Sequence, residues 1–200
     1  VAGNVGHEEV VALARRHFED QPAKPSPSFR ALDPDPPTQR VAAEGRPISQ
    51  ANLAMALPAF PRKDPDRYAL MIFNTILGRG MSSRLFKEVR ERRGLAYSVG
   101  SAVSRYFDTG LLVINAGVAP QNFKEAVRVI VGELRKLVEE PVGEEEMTKV
   151  RDYAVGSFRL SLETPMALGQ RCGDLLLTMG EIEPIDSVVE KLQAITADDI

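Results

Sequence analysis

The sequence predicts an α+β fold: a mainly antiparallel sheet with a layer of helices on one face. Three observations carry this prediction. Short runs with an apolar period of two are confined to the stretch between residues 39 and 118. From residue 121 onward, apolar residues recur at helical spacing instead. Asp108-Thr109-Gly110 separates the last two strand candidates and is a hairpin signal. Strands followed by helices, with a hairpin between neighbouring strands, make a layered fold rather than an alternating βα one.

The elements follow in order. Residues 7–19 read as an amphipathic helix, with Val10, Val11, Leu13, Ala14 and Phe18 mostly on one side. Pro22, Pro25, Pro27, Pro34, Pro36 and Pro37 then exclude helix and central strand, so this stretch is a semi-rigid linker. Strands are expected near 39–44 and 48–57. In the second, Ala51, Leu53, Met55 and Leu57 alternate with Gln50 and Asn52. A helix is expected near 64–77, with Asp64 as N-cap and Pro65 at its first position, where the missing N–H costs nothing. Another follows at 82–93. Strands at 95–104 and 111–118 form the hairpin. The clearest helix is 121–139, where Phe123, Ala126, Val127, Ile130, Val131, Leu134, Leu137 and Val138 form the apolar stripe. Helices at 143–163, 164–179 and 184–194 complete the chain. The first of these opens on Glu144-Glu145-Glu146, a solvated acidic start at the positive end of the helix dipole.

Composition narrows the function classes. The chain has 200 residues, 44% of them hydrophobic and 26% charged, ordinary values for a globular protein. A net charge of −3 gives no electrostatic reason for a nucleic acid or an anionic membrane as partner. No apolar run approaches the roughly 18 residues that span a bilayer. The single cysteine, Cys172, excludes an internal disulfide and reads as a small residue within a helix.

The most informative stretch is Gly78 to Tyr97. Gly78-Arg79-Gly80 breaks one helix, and it lacks the lysine and hydroxyl of a phosphate loop. Ser82 or Ser83 is placed to cap the next helix. Leu85, Phe86 and Val89 form its apolar stripe, and Lys87, Arg90, Arg92 and Arg93 crowd its C-terminal turns, where cations complement the dipole. Gly94 is a natural C-cap. On these grounds alone, Arg90 is a solvated dipole partner and Tyr97 a strand core residue.

Gly80-Met81-Ser82-Ser83-Arg84-Leu85-Phe86 and Glu88-Val89-Arg90-Glu91-Arg92-Arg93-Gly94-Leu95-Ala96-Tyr97 resemble the second-domain signature of the pitrilysin/insulinase superfamily of zinc peptidases, which includes the mitochondrial processing peptidases. Arg79 departs from the small residue usual there. The resemblance implies the α+β metallohydrolase fold of pitrilysin-like peptidases. It also implies a division of the chain. Residues 1–20 would be the last strand and helix of a preceding homologous domain, 21–38 a linker, and 39–200 the C-terminal, zinc-motif-lacking domain, truncated at its end.

The zinc motif of the family is His-x-x-Glu-His, which puts both histidines and the general base on one helix face. His7 and His17 are the two histidines here, ten apart, and neither sits in that motif. No metal site is therefore expected in these residues. Zinc is expected in an upstream domain or a partner chain. By resemblance, Arg90 and Tyr97 carry over as the catalytic and substrate-binding pair of an Arg-x-x-x-x-Leu-x-Tyr setting that faces the zinc site of the other half. Attack of zinc-bound water on an amide makes a tetrahedral oxyanion, to which a guanidinium and a phenol both donate hydrogen bonds.

The expected function is the non-zinc-binding half of a zinc metalloendopeptidase, inactive alone and forming one wall of a chamber for extended peptides. The alternative is a non-catalytic structural or partner subunit of the same fold, of the processing-peptidase or respiratory core-protein type. Expected partners are an N-terminal zinc-binding domain of the same or another chain and an extended peptide, with a homo- or heterodimer possible. The edge of the strand at 48–57 is a peptide-docking candidate, because extended peptides add to sheet edges. Compartment, substrate and the role of Arg79 stay open, with the cytoplasm favoured as location.

Overall fold

The computed structural model describes residues 1–22, 24–25, 28–32 and 40–200 of the chain. Pro27, Pro34, Pro36 and Pro37 of the linker lie outside the described residues. Helix α1 spans His7–Phe18. A three-stranded antiparallel sheet follows, built from β1 (Ala51–Ala59), β2 (Ala96–Arg105) and β3 (Gly110–Val118) in the order β1-β3-β2. Between β1 and β2 the chain forms α2 (Arg67–Gly78) and a π-helix (Phe86–Arg92). After β3 come α3 (Phe123–Glu139), α4 (Glu144–Leu160), α5 (Pro165–Met179) and α6 (Ile185–Ala194). The α+β expectation holds, with a small antiparallel sheet and several helices.

The period of two in the strands decides which sheet face is covered. Ala51, Leu53 and Met55 of β1, Leu112, Ile114, Ala116 and Val118 of β3, and Val99 and Val103 of β2 belong to one apolar cluster. Ile72, Ile76 and Leu77 of α2, Leu85 and Val89 beside or within the π-helix, Ile130, Met147 and Leu192 complete it. Helix α2 packs on β2, α4 on α2, and α6 on α4 and α2. The opposite face carries mainly small and polar side chains, with Val113 and Leu111 as larger apolar ones. Register places Ala56 beside Val113 and Val113 beside Ala102, and likewise Asn52 beside Gly117 and Gly117 beside Ser98. Asn52, Ala54, Ala56, Asn115, Ser98 and Ala102 are exposed.

Several local expectations are corrected. Residues 40–50 form no strand, and Gln39 is outside the described residues. The two hydrogen-bonding sides of β3 are filled by β1 and β2, and Gly45 and Pro47 interrupt the run. Helix α2 starts three residues later than Asp64, whose Oδ1 accepts from the Asp66 N–H at 2.9 Å and so shapes the preceding turn. On α3 the buried positions are Ala126, Val129, Ile130, Glu133 and Leu137. Val127 and Val131 are half-buried flanks, and Val138 is 85% exposed. The stripe is turned because Glu133 takes an inward position, where Lys136 Nζ donates to it at 2.7 Å and Arg84 adds an opposite charge. On α1 only Val10 and Val11 are half-buried, while Leu13 and Phe18 are exposed.

A polar tie fastens α6 to α2. Glu183, just before α6, accepts hydrogen bonds from the Tyr68 hydroxyl and from Lys191, and lies 3.5 Å from Arg67. Burial alone raises the Glu183 carboxyl, but the bonds from Lys191 and Tyr68 and the charges of Lys191 and Arg67 together hold it below the usual range. Burial, and then the bond to Glu183, push the Tyr68 hydroxyl up to about 12.

Two outcomes follow for stability. Ile130 is fully buried, so Ile130→Asp places an unpaired charge in the core. That costs several kcal/mol, against a total stability of about 5–15 kcal/mol for a domain. Circular dichroism should show no cooperative melt for Ile130→Asp but a retained one for Val127→Asp; equal effects would place the buried stripe elsewhere. The Glu183 contribution is fully present above the ordinary carboxylate pKa of 4.5 and fades as pH falls through its lowered value. The Tyr68 contribution is present below 10 and fades as pH rises toward about 12. Glu183→Gln should flatten the acid limb of a melting-temperature profile; an unchanged limb would assign acid sensitivity to other carboxylates.

Candidate functional site

The segment Gly80 to Tyr97 is folded by two arginines with opposite surroundings. Arg84 donates from Nε and Nη2 to the two carboxylate oxygens of Glu146 at 3.0 and 2.7 Å. This bidentate pair fixes the start of the π-helix to the first turn of α4. The hydrogen bonds to Glu146 raise the Arg84 guanidinium above its ordinary value, against the opposing effect of burial, and the charges of Glu146, Glu133 and Glu140 add to the rise. Glu146 is therefore not part of a solvated helix start as the sequence suggested; only Glu144 and Glu145 remain exposed there. Ser83 is also reassigned. It is buried, and its hydroxyl donates to the Gly80 carbonyl oxygen at 2.7 Å rather than accepting from a helix N–H.

Arg90 sits two turns further along, exposed at the end of the π-helix. Glu88 engages both Arg92 and Arg93, but among the described residues no carboxylate lies within ion-pair distance of Arg90. Its guanidinium lies against two rings instead, 4.9 Å from the centroid of Phe86 and 5.8 Å from that of Tyr97. Such contacts are worth about 0.5–1 kcal/mol each at exposed sites and orient the fork without neutralising it.

Gly94 terminates the π-helix at φ 61°, as its C-cap role requires, and Leu95 N–H donates to the Val89 carbonyl at 2.8 Å. The strand that follows carries a β-bulge. Ala96 pairs with Val118 and Ser98 with Gly117, so Tyr97 has no partner of its own. Beyond the bulge, Val99, Ser101 and Val103 turn toward the helices. A regular strand would turn Tyr97 the same way. The extra residue lets Ala96 take the inward position, and Tyr97 is 81% exposed. The structure thus brings Arg90 and Tyr97 together at the surface, and the solvated-arginine-plus-core-tyrosine alternative fails for the tyrosine.

Beside Tyr97 lies an open depression of about 380 Å³ lined by Gln50, Gly94, Gly117 and Asn122, among others. Gly117 lets the Gln50 side chain lie close over β3: a Cβ on it would lie 1.9 Å from the Gln50 amide nitrogen, which would have to move. Gln50, Gly117 and Asn122 were not singled out by sequence. They come from two segments far apart in sequence, one just before β1 and one at the end of β3, which the pairing of Ala51 with Val118 brings together.

Comparison with known proteins agrees with this fold. The family model described as peptidase M16 inactive domain matches residues 1–153. The chain belongs to the M16 inactive domain family. An uncharacterised zinc protease of Streptomyces coelicolor is 37% identical over the whole chain, and this chain spans 45% of that protein's length. Among solved structures, a protease from Helicobacter pylori superposes with a TM-score of 0.85 at 20% identity, covering 99% of this chain and 49% of that one. A peptidase M16 inactive domain from Pseudomonas fluorescens gives 0.70 at 24% identity, covering 76% of this chain and 37% of that one. These structural likenesses establish the fold.

The donor set of this M16 inactive domain does not suit zinc. Among the described residues, no three His, Cys, Asp or Glu gather as a metal site. His7 and His17 are both exposed on α1. Cys172 is half-buried and unpaired on α5.

The Arg84–Glu146 pair carries a measurable load. Arg84→Ala leaves Glu146 partly buried without its guanidinium, which should lower stability by about 1–3 kcal/mol. Chemical denaturation measures it. A change near zero would reduce the pair to an exposed surface contact.

Proposed function

We propose that this chain is the non-zinc-binding half of a pitrilysin-like metalloendopeptidase, and that Arg90 and Tyr97 bind substrate and stabilise the transition state. The observation that carries this is the pairing of the two side chains at the bulge. Tyr97 is turned out of the core at a local cost in strand pairing, and Arg90 is held over its ring with no carboxylate within ion-pair distance among the described residues.

The chemistry fits peptide hydrolysis. Cleavage of an amide passes through a tetrahedral carbon with a developing oxyanion. The Tyr97 O–H and the Arg90 N–H groups are donors to such an oxygen, and the guanidinium stays charged at any working pH. A donor set fixed before reaction needs no reorganisation as charge develops. Next to the pair, the open sheet face of Asn52, Ala54, Ala56, Val113 and Ala102 offers a smooth wall to an extended peptide. The strand β1, a candidate for peptide docking, lies at an edge of the three-stranded sheet, as does β2.

Zinc and its ligands belong to another domain or chain in this proposal, because no three potential ligands gather among the described residues and neither histidine sits in the zinc motif. That makes the fragment inactive alone and the assembled protein active. The relatives named zinc proteases, of which this chain spans less than half, support the same division.

The test uses the assembled enzyme, in which a zinc-bearing half is present. Arg90→Ala and Tyr97→Phe should each lower kcat for a quenched fluorescent peptide by about a hundredfold, equivalent to roughly 3 kcal/mol. Zinc content and melting temperature should stay at wild-type values. Full activity in both variants, with fold and zinc intact, would make the pair structural and leave the partner-subunit reading standing.

A further inference from the structure

A second cavity, of about 590 Å³, is lined by residues of β2, α2, α4, α5 and α6 and of the segments flanking them, and shares no residue with the depression beside Tyr97. Four arginines line it, Arg62, Arg67, Arg105 and Arg171, against two carboxylates, Asp174 and Glu183. The excess of positive charge falls on Arg105 and Arg171, which have no carboxylate within ion-pair distance among the described residues. Arg62 Nη1 donates to Asp174 Oδ2 at 2.7 Å, and Arg67 lies 3.5 Å from Glu183. Arg171 Nη2 donates to the Glu183 carbonyl oxygen at 2.7 Å. Arg105 donates only to the Arg67 carbonyl oxygen, at 3.3 Å, and among the described residues no carboxylate lies within ion-pair distance of it.

Arg105 is also in an unfavourable place for a cation. It is half-buried at the end of β2, and burial, with the like charges of Arg67 and Arg62, lowers its guanidinium below the ordinary value. A partly desolvated charge beside two like charges costs free energy unless an anion offsets it. Beside the polar Tyr68, Ser161 and Gln170, the lining has apolar side chains, among them Met71, Val103, Leu162, Leu175, Met179 and Val188.

We propose that this cavity binds a ligand with a carboxylate head and an apolar body, with Arg105 gripping the head and Met71, Val103, Leu175 and Val188 receiving the body. A single carboxylate offsets the Arg105 guanidinium, whereas Arg171, also without an acid partner among the described residues, donates to the Glu183 carbonyl and lies 5.6 Å from the Phe158 ring centroid. The planar fork of arginine suits a carboxylate, and an apolar body fits the apolar side chains that form the remainder of the wall. Two sources share this chemistry: the free C-terminus of a peptide ending in an apolar residue, and a medium-chain fatty acid. The inference stands independently of the Arg90/Tyr97 reading, because the two sites share no residue.

Isothermal titration of the chain, with circular dichroism confirming the fold, tests it with three probes. These are N-acetyl-leucine, its C-terminal amide N-acetyl-leucinamide, and octanoate. N-acetyl-leucine or octanoate should bind, and whichever is tighter names the source. The amide should bind at least about tenfold more weakly than the acid, since it forfeits the charge-assisted bonds. Arg105→Gln should abolish the preference for the acid without lowering the melting temperature, because it removes an uncompensated charge. Three results would each overturn the proposal. One is absence of binding by both acids at millimolar concentration to folded protein. Another is equal binding of acid and amide. The third is a preference for the acid that survives Arg105→Gln. The comparison of acid with amide needs no variant, so it decides the matter even if Arg105→Gln fails to fold.

Discussion

The β-bulge at Tyr97 is the constraint on which the site depends. Side chains on a strand alternate with a period of two, so a one-residue slip moves a side chain from one face to the other. Here the slip is confined to one residue. Ala96 closes the core over Val118, and every position from Ser98 onward keeps its register with β3. The sheet keeps its buried face, and only Tyr97 changes sides. The chain enters this bulge through Gly94, whose left-handed backbone would strain any residue with a Cβ. The wider turn of the π-helix precedes it, and Arg90 stands on its last turn. Irregular backbone on both sides of Gly94 therefore positions two side chains that regular elements would have separated.

The rest of the fold makes that irregularity affordable by anchoring what lies before and after it. Arg84 and Arg90 are six residues apart in one segment, yet their energetics differ. Arg84 is paired with Glu146 through both carboxylate oxygens and lies near the buried Glu133, so it joins the π-helix to α4 and α3. Arg90 has no acid partner among the described residues and touches only rings. A charge that is already neutralised stabilises the fold and has little left for a ligand. A charge oriented by aromatic faces keeps its full donor capacity. By the same physical criterion Arg105, half-buried and without an acid, stands apart from Arg62 and Arg67, which are paired.

Tyr68 and Glu183 show how polar groups fasten helices without a functional role being required. Their hydrogen bond, with Arg67 and Lys191 around it, places α6 against α2 at the rim of the arginine-lined cavity. The same tie that closes the helical layer thus shapes one wall of that cavity.

Periodicity and turn chemistry in the sequence determined the helices, the three strands, the hairpin and the C-cap at Gly94, because these depend on local sterics and on which residues alternate. The spacing of Arg90 and Tyr97 was also legible, through the resemblance to a peptidase signature. Tertiary structure decided the remainder. Residues 40–44 lie in a strand candidate but form no strand, although β1 and β2 each present an outer edge, because local sequence does not decide which segments pair. The stripe of α3 turned toward Ala126, Val129 and Glu133, because a buried carboxylate follows its cationic partners rather than a hydrophobic period. The bulge at Tyr97 has no local signal at all. It exists because Ala96 pairs with Val118 while Ser98 pairs with Gly117, a match between segments about twenty residues apart that only the assembled sheet can make.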